Sequence, residues 1–392
     1  MTVLVQKYGG SSVADVEKIG KVADRVVAAK QAGSDVVVVV SAMGKTTDGL
    51  LALAKSVHAD APRRELDMLV STGERVTMAL LSIAIHARGC DAISFTGSQS
   101  GIITNDRHFD ARILEVRPHR IEDELARGRI VIVAGYQGMS YRREITTLGR
   151  GGSDTTAVAL AAALGAERCE IYSDVDGVYS ADPRVVPDAV HLPEIDLASL
   201  QEMAEAGAKV LNAQAVEWAR RGKIVLHARK TSDPVGEGRE TVSMEVPEPK
   251  HVRAVVGLDR VVHARLPASE LRLFAEVAAE LDVPLLDVAS SGEGATCSIP
   301  LANVPDWGAR RARLEERARG VQLEAERAVV SVVGDGLTTS ARALPRFLGV
   351  LGEHGVTARA VHAGPLRISA TIDAVALGAM QRGLHAAFVG ER

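Results

Sequence analysis

The sequence predicts an α/β fold in which a largely parallel sheet is covered by helices on both faces. Two observations carry this prediction. Short, uniformly apolar runs such as DVVVVV at 35–40 and IVIVA at 130–134 are typical of strands that are buried on both faces. Helix-length patterns lie between such runs, and strands that alternate with helices favour parallel pairing.

The other elements of this first region follow the same alternation. Strands are predicted near 3–6, 169–173 and 223–228, and helices near 14–31, 63–88, 118–127, 153–164 and 212–221. Ser153 and Asp154 are favoured N-caps for the helix near 153–164, and Gly165 suits its C-terminal exit. Glycine- and serine-rich loops follow several strands. In open α/β sheets, ligands bind at these carboxyl ends.

A second region differs in composition. Residues 232–250 are polar and rich in turn formers, which predicts a linker. Beyond it a strand–helix–strand–strand order occurs twice. The first copy has a strand at 261–266, a helix at 268–281 and the strands LLDVAS and ATCSIP. The second has a strand at 328–334, a helix at 340–354 and the strands TARAV and RISATID. This is a weak internal duplication of a small βαββ unit. The mixed charges of RRARLEERARG at 310–320 are interpreted as a solvated helix face.

Composition limits the class of protein. The chain has 392 residues, enough for two or three domains, and only 3% are aromatic, so aliphatic side chains must fill the core. The net charge of −4 argues against a nucleic-acid surface. No apolar run approaches the length of a membrane span, and the N-terminus lacks a signal-peptide core. We therefore expect no nucleic-acid partner and no membrane partner.

The cysteines and histidines do not form an obvious metal site. The three cysteines, Cys90, Cys169 and Cys297, lie far apart and show no ligand spacing. Their odd number argues against a disulfide framework and favours a reducing cytoplasm. Three isolated histidines are interpreted as packing or surface residues rather than ligands: His227, His263 and His362.

The segment GRGGSD at 149–154 stands directly before a predicted helix. A helix N-terminus carries unpaired N–H groups and partial positive charge, so it attracts anions. Gly149, Gly151 and Gly152 allow the backbone to approach a ligand without Cβ clashes. The segment matches neither GxxxxGK[ST] nor GxGxxG. An ordinary glycine turn with a helix cap is therefore the alternative interpretation.

Further polar segments follow the other strands. KYGGSS places Lys7 at the end of the first strand, where an ammonium group can meet a phosphate. VSTGERV holds Glu74 within a helical pattern, and YSDVDGVYSADPR follows the strand near 169–173. The loop SAMGKTTDG carries four polar candidates: Ser41, Lys45, Thr46 and Thr47. Each segment alone fits an exposed side chain, a polar loop or a hairpin, but their joint occurrence favours a functional site.

Together these segments resemble the aspartate kinases of the amino-acid kinase family. The motifs are KYGGSSV (7–13), SAMGKTTDGL (41–50), STGERV (71–76), FTGSQSGI (95–102), TTLGRGGSDTTA (146–157), YSDVDGVYSADPR (172–184) and GAKVL (207–211). The second half resembles, more loosely, paired ACT modules. The resemblance implies an amino-acid kinase domain over 1–245 and two βαββαβ ACT-like modules over 246–327 and 328–392. In one variant of this arrangement the C-terminal end returns to the first module.

The resemblance also implies a reaction. The γ-phosphoryl group of ATP would be transferred to the side-chain carboxylate of L-aspartate, giving 4-phospho-L-aspartate, the first step of lysine, threonine and methionine biosynthesis. A carboxylate with a pKa of about 4 is already ionised at neutral pH, so no general base is needed. Catalysis then reduces to positioning and charge neutralisation. Mg²⁺ is expected with ATP, held mostly by phosphates and water rather than by a dedicated protein site.

Residue roles follow from matching the motifs. Catalytic roles fall to Lys7, which would neutralise the β- and γ-phosphates, and to Asp154, which would order Lys7. ATP contacts are implied for Lys7, Tyr8, Gly9, Gly10, Ser11, Ser41, Ser173, Asp174, Tyr179, Asp182, Arg184 and Lys209. Amino-acid contacts are implied for Ser41, Lys45, Thr46, Thr47, Glu74, Arg150, Gly151, Gly152 and Ser153. Glu74 would pair with the substrate ammonium, and Arg150 with a substrate carboxylate.

The second half departs from the family pattern at the stretches LPASELRLF (266–274), PLLDVASSG (284–292) and HAGPL (362–366). These departures argue against feedback control by lysine or threonine. We expect a dimerising scaffold or a sensor of another ligand, and the resemblance implies a homodimer through the ACT-like modules. Two alternatives to an aspartate kinase are a kinase for another small acidic substrate and a non-catalytic regulator that binds ATP and an amino acid.

Overall fold

The structure is a computed structural model that describes residues 2–209, 211–234, 237–244, 252–339 and 341–390. The chain divides into two compact units. The first comprises residues 1–178, 191–201 and 210–247, and the second comprises residues 179–190, 202–209 and 248–392. Each unit contains its own main sheet, and the two are described separately.

An eight-stranded sheet forms the centre of the first unit. In spatial order its strands are β12 (Glu194–Asp196), β14 (Glu240–Met244), β13 (Val225–Lys230), β9 (Arg168–Ser173), β1 (Val3–Tyr8), β2 (Asp35–Val40), β6 (Ile130–Ala134) and β3 (Ala92–Phe95). All neighbours are parallel except β13 and β14. The five strands predicted for this region all belong to this sheet, which confirms the predicted parallel α/β fold.

Helices cover both faces of this sheet. They are α1 (Val16–Gln31), α2 (Thr46–Val57), α3 (Arg63–Val70), α4 (Thr72–His86), α5 (His119–Ala126), α6 (Gly152–Ala163) and α8 (Ala213–Gly222), and α7 (Leu197–Glu205) runs from the first unit into the second. Tyr8 packs with α1 and α4 on one face. Lys7, the preceding residue, points to the opposite face, where α6 lies against β1.

The helix predicted over 63–88 is in fact two helices, α3 and α4, which meet at Ser71. The Gln137 side chain donates a hydrogen bond to the Ser71 carbonyl at 2.9 Å, and this bond accompanies the break. By length and composition alone, the combined stretch Arg63–His86 could cross a membrane, which the sequence analysis did not expect. Its buried carboxylates, Asp67 and Glu74, instead fit a pair of helices packed inside a protein.

A two-stranded sheet consists of β10 (Val178–Tyr179) and β11 (His191–Leu192). The first unit also contains a smaller four-stranded sheet. Its order is β5 (Ile113–Val116), β4 (Ile102–Thr104), β7 (Gln137–Ser140) and β8 (Ile145–Thr147). The predicted linker at 232–250 is wrong in part, because β14 occupies 240–244 and pairs in the main sheet. The polar composition of β14 suits a strand near the sheet edge. Residues 235–236 and 245–250 of that prediction lie outside the described residues.

The second unit contains a six-stranded antiparallel sheet. In spatial order its strands are β16 (Leu286–Ser291), β17 (Gly294–Pro300), β15 (Val252–Leu266), β18 (Gln322–Gly334), β20 (Arg367–Ile372) and β19 (Ala360–Ala363). Its helices are α9 (Leu271–Glu280), α10 (Trp307–Arg317), α11 (Ala343–Glu353) and α12 (Leu377–Phe388). The strand–helix–strand–strand–helix order occurs twice, so this half has the architecture of two ACT-like modules.

Two hydrophobic clusters lie in this unit. One surrounds Phe274 of α9, and the other surrounds Phe347 of α11 and contains residues of α12. The long strand β15 contributes to both, because Val262 packs in the first cluster and Val255 in the second. The pairing of β15 with β18 shifts register between Leu258 and Val261, which lets one strand serve two cores.

Candidate active site

The loops after β1 and β2 lie side by side at the carboxyl edge of the parallel sheet. The Ser41 amide donates to the Tyr8 carbonyl at 3.1 Å, and the Gly44 amide donates to the Gly10 carbonyl at 3.0 Å. A Cβ on Gly10 would lie 2.8 Å from the Ala42 carbonyl oxygen. This close approach explains the glycine, and it brings the KYGGSS and SAMGK segments together as the sequence analysis expected.

Lys7 forms a buried ion pair with Asp154. Lys7 Nζ lies 2.7 Å from Asp154 Oδ1, and each side chain is only 10% exposed. Helix α6 begins at Gly152 with Gly151 as its N-cap, so the prediction that Ser153 or Asp154 caps this helix is wrong. Because Asp154 lies in the first turn instead, its carboxylate faces Lys7 and complements the helix dipole.

The GRGGSD turn is held by a contact that the sequence did not reveal. Gly151 has φ 74°, and a Cβ there would lie 2.7 Å from the Asn212 Cβ. Asn212 Nδ2 donates to the Arg150 carbonyl at 2.6 Å, and Asn212 also caps α8 through the Gln214 amide at 2.8 Å. Arg150 is an exposed residue, and the bond from Asn212 fixes its backbone.

Glu74 lies in the first turn of α4 and is only 2% exposed. Its Oε1 accepts a hydrogen bond from the Ala42 amide at 3.1 Å, and within the described residues its Oε2 has no hydrogen-bond partner. Burial raises the pKa of Glu74 to about 7. A buried carboxylate oxygen without a donor is costly, so this group is suited to a cationic group of a ligand.

Tyr136 faces the same region, and the sequence analysis did not select it. Burial raises the pKa of the Tyr136 hydroxyl, and the carboxylates of Glu74 and Asp67 act in the same direction. Its φ of 68° is unusual for tyrosine, and its amide donates to the Thr156 hydroxyl at 3.1 Å. Its position in the loop that follows β6, two residues after Ala134, is a signal that could have identified it.

Asp67 is the centre of a buried network behind Tyr136. It accepts hydrogen bonds from the Thr147 hydroxyl at 2.5 Å, from His108 Nδ1 at 2.6 Å and from the Phe109 amide at 3.1 Å. Burial raises the pKa of Asp67, and its bonds with Thr147 and His108 oppose that shift. Thr147 also bonds the Tyr136 side chain, so the network fixes the position of that ring.

Three predicted substrate contacts lie at the start of α2, a helix without buried residues. Lys45 and Thr46 are exposed and Thr47 is partly buried. The Thr46 hydroxyl donates to the Met43 carbonyl at 2.6 Å. The Thr46 methyl lies 3.6 Å from the position of a Cβ on Gly73, which places this loop beside the α4 turn that carries Glu74.

The predicted ATP contacts of the first unit differ in accessibility. The Tyr8 ring is fully buried and stacks on Tyr172 with centroids 4.9 Å apart, so this side chain belongs to the core rather than to an open site. Ser11 and Asp174 are exposed in the loops after β1 and β9, and Ser173 is partly buried. The Gly9 amide donates to the Tyr172 carbonyl at 3.0 Å, which places these two loops next to each other.

Four predicted ATP contacts belong to the second unit: Tyr179, Asp182, Arg184 and Lys209. Arg184 and Asp182 pair at 2.7 Å, and this guanidinium lowers the pKa of Asp182. Lys209 Nζ lies 3.7 Å from Asp259 Oδ2, and these two side chains are 67% and 62% exposed. Tyr179 is partly buried. The charged groups of this set therefore form ion pairs at the surface.

The arrangement in the first unit has a clear chemical character. A buried cation, Lys7, stands beside the glycine-lined start of a helix, and both features suit an anion. A buried acid, Glu74, with one unpaired oxygen suits an ammonium group. In the part of the chain that the structure describes, no group of three or more His, Cys, Asp or Glu side chains could hold a metal ion. This edge of the sheet therefore suits a ligand with both anionic and cationic groups.

Comparisons with known proteins agree with this character. The sequence model of the amino acid kinase family matches residues 2–229. The chain is 42% identical to the aspartokinase of Mycolicibacterium smegmatis, over 99% of this chain and 96% of that protein. It is 41% identical to the aspartokinase of Corynebacterium glutamicum over the same shares of the two chains. Its structure is similar to E. coli aspartokinase III in complex with aspartate and ADP, with a TM-score of 0.86, 25% identity and coverage of 98% and 99%.

Proposed function

The chain belongs to the amino acid kinase family, and within it to the aspartokinases. From this premise we propose that it transfers the γ-phosphoryl group of ATP to the side-chain carboxylate of L-aspartate, giving 4-phospho-L-aspartate and ADP. One observation carries the proposal. At one edge of a single sheet, the Lys7 ammonium and the start of α6 lie next to the loop that contacts the buried carboxylate of Glu74.

The phosphate side of this site is built from Lys7 and the α6 N-terminus. Phosphoryl transfer spreads negative charge over the oxygens of the moving group, so a fixed cation and aligned N–H groups stabilise its transition state. Asp154 holds Lys7 Nζ at 2.7 Å and orients this cation. Asp154 acts through Lys7 and is therefore a positioning residue.

The amino-acid side is built from Glu74, Arg150 and Tyr136. The α-ammonium of aspartate would supply the donor that Glu74 Oε2 lacks, and Arg150 would bind a carboxylate as a fork. Tyr136 lies close enough to all three charges, Glu74, Asp67 and Arg150, to respond to them. An N-acylated substrate has no ammonium to offer, so this half of the site favours a free amino acid.

The reaction needs no general base. An oxygen of the aspartate side-chain carboxylate, already ionised at neutral pH, forms a bond to the γ-phosphorus while the bond from that phosphorus to ADP breaks. Mg²⁺ would enter with ATP and neutralise phosphate charge, held by phosphate oxygens and water. The described residues provide no dedicated metal site, and no step is assigned to the ion.

The remaining nucleotide contacts are proposed from the motifs. They are Gly9, Gly10, Ser11, Ser41, Ser173 and Asp174 in the first unit, and Tyr179, Asp182, Arg184 and Lys209 in the second.

We also propose a homodimer formed through the ACT-like modules. The proposed domain boundaries are those from the sequence: 1–245, 246–327 and 328–392. A cytoplasmic location is proposed because the three cysteines, of which Cys169 and Cys297 are buried, are free thiols. Light scattering of the purified protein tests the dimer.

A coupled assay of ADP release tests the activity. ATP–Mg²⁺ is supplied with L-aspartate, L-glutamate or N-acetyl-L-aspartate, and turnover is expected with L-aspartate. Turnover only with another acidic substrate would favour the alternative kinase. Nucleotide and aspartate binding without turnover would favour the non-catalytic regulator. A Lys7→Ala variant should lose turnover. Lys21→Ala removes an exposed lysine of α1 that pairs with Glu17, and this variant should keep its turnover.

A further inference from the structure

The second unit contains a short segment, residues 179–190, that is far in sequence from most of that unit. Ser180 anchors it. The Ser180 hydroxyl lies 2.8 Å from His385 Nε2 of α12 and accepts a hydrogen bond from the Val190 amide at 2.8 Å. The Ser180 carbonyl accepts from the Val255 amide of β15 at 2.7 Å. Ser180 is therefore bonded at both its side chain and its backbone.

Helix α12 contacts the segment at a second point. Arg382 Nη1 donates to the Val185 carbonyl at 3.4 Å. Arg382 and His385 are three residues apart, so they lie on the same face of the helix. Val185 also lies 3.8 Å from the position of a Cβ on Gly378, one turn earlier. One face of the last helix thus lies along this segment.

The Ser180–His385 contact is compatible with either direction of donation. A hydroxyl has two lone pairs and one proton, so Ser180 Oγ can accept from the Val190 amide and either donate to His385 Nε2 or accept from it. His385 is only 3% exposed, and burial lowers the pKa of its imidazole while the Asp188 carboxylate opposes the shift. Burial therefore favours the neutral imidazole, which still exchanges one hydrogen bond with Ser180 Oγ.

We propose that His385 is a positioning residue for nucleotide binding, because its bond to Ser180 fixes the segment 179–190. The inference rests on the proposed function, since this segment carries three of the proposed ATP contacts. Ser180 follows Tyr179 directly and lies two residues before Asp182, so a shift at Ser180 is transmitted to both. Within the segment, Ser180 is buried, whereas the charged side chains of Asp182 and Arg184 are more exposed.

Substitutions at His385 test the proposal by steady-state kinetics. His385→Ala should raise the KM for ATP by about tenfold, the effect of one lost buried hydrogen bond, and leave kcat and the KM for aspartate within about twofold. His385→Gln places an amide group, which can accept or donate a hydrogen bond, near the Nε2 position and should restore most of the loss. The matched control is Gln381→Ala, which removes a buried side chain of α12 that contacts Gly257 instead; its KM for ATP should not change.

Several outcomes would overturn the inference. They are an unchanged KM for ATP in His385→Ala, equal effects of His385→Ala and His385→Gln, or parallel increases in both KM values. If His385→Ala does not fold, Ser180→Ala removes the same bond and must give the same selective loss. Calorimetric titration with ATP makes the comparison without turnover. A wild-type enzyme that binds ATP but does not phosphorylate aspartate contradicts the proposed function, whereas an active wild type with unaffected variants contradicts this inference alone.

Discussion

The proposed ligand contacts fall into two sets that are held in different ways. In the first unit, Lys7 is 10% exposed and lies 2.7 Å from its partner Asp154. In the second unit, Lys209 is 67% exposed and lies 3.7 Å from Asp259. The first pair is desolvated and fixed between a central strand and a helix start. The second pair is a surface contact of the kind that contributes little stability.

This difference in burial suits the two sets to different roles, transition-state stabilisation and nucleotide binding. Preorganised charges in a water-excluded site stabilise a transition state because they need not reorganise during the reaction. Exposed groups on short segments adjust more readily, and they contribute mainly to binding. We therefore expect substitution of Lys7 in the first set to reduce kcat and substitution of Glu74 to raise the KM for aspartate. Substitutions in the second set should raise the KM for ATP.

The largest effect is expected from Lys7→Ala. Removing this cation takes away charge stabilisation and leaves Asp154 buried without its partner. We expect kcat to fall by about a thousandfold, measured by the coupled assay at saturating substrates. The double variant Lys7→Ala with Asp154→Asn separates the two causes, since it should regain stability but not activity. If kcat falls by less than about tenfold, the distinction between the two sets is wrong.

The next largest effect is expected from Glu74→Gln. The amide keeps the shape of the side chain but loses its charge, so the KM for aspartate should rise by about 30- to 100-fold while the KM for ATP is unchanged. Glu65→Gln on α3 is the matched control, because Glu65 is exposed and pairs with Arg64 at the surface. An equal rise in both KM values would contradict the proposed contact with the substrate ammonium.

The pH dependence of the same group has a defined sign. The pKa of Glu74 is raised from 4.5 to about 7 in the folded protein, so the folded state binds this proton more tightly than the unfolded state. The charged carboxylate therefore lowers the free energy of unfolding as pH rises from about 4.5 to about 7, by on the order of 3 kcal/mol. In denaturant titrations, the stability gain of Glu74→Gln over wild type should be absent near pH 4 and complete above pH 7.

Aspartate binding should become tighter as the pH rises, whereas the free energy of unfolding falls. An ammonium group binds the ionised form of Glu74, so the KM for aspartate should increase as the pH falls below about 7. In Glu74→Gln this pH dependence should disappear. A KM for aspartate that is flat across this range in the wild type would show that Glu74 is not the group that meets the substrate.

How far the site could be predicted depends on the distance between contacting residues. Lys7 and Glu74 could be selected as candidates because each belongs to a local motif at a strand end or a helix start. Asp67 and Asn212 were missed because their partners are remote in sequence: Thr147 lies 80 residues from Asp67, and Arg150 lies 62 residues from Asn212. No local pattern reports such contacts.

The fold shows the same limit. The buried strands β1, β2 and β6 were predicted because apolar runs mark burial directly. Helix α2, which buries no residue, and strand β14, which has a polar sequence, lack that signal and were missed. The long strand β15 was predicted only over 261–266, because its first half packs into a second core that a single stretch of sequence does not reveal.

A moderate effect is expected from Gly151→Ala. The residue has φ 74°, and the new Cβ would lie 2.7 Å from the Asn212 Cβ. We expect the free energy of unfolding to fall by about 1–3 kcal/mol and kcat/KM for aspartate to fall by about tenfold, because the turn that carries Arg150 moves. Gly49→Ala in α2 meets no atom within 4 Å and should be neutral or slightly stabilising. Equal behaviour of the two variants would contradict the requirement for glycine at 151.

A smaller effect is expected from Lys209→Ala. The exposed ammonium should contribute to ATP affinity alone, so the KM for ATP should rise by about three- to tenfold while kcat stays within about twofold. Asp259→Asn removes only its surface partner and should change neither constant by more than about twofold. A large loss of kcat in Lys209→Ala would place this residue with the first set and break the comparison.

The smallest effect is expected from lysine and threonine. The stretches that depart from the aspartokinase pattern form the turn into α9, the edge strand β16 and the turn from β19 to β20. Val288 of β16 is exposed. Without the expected effector contacts, either amino acid should change turnover by less than about fivefold, the low end of allosteric coupling. The measurement is a titration of each amino acid during turnover at subsaturating ATP, where a change in nucleotide affinity is visible. Strong inhibition below millimolar concentration would show that the second unit controls the reaction through contacts other than those of the family pattern, and Ser180→Ala would then test whether the signal passes through the segment 179–190.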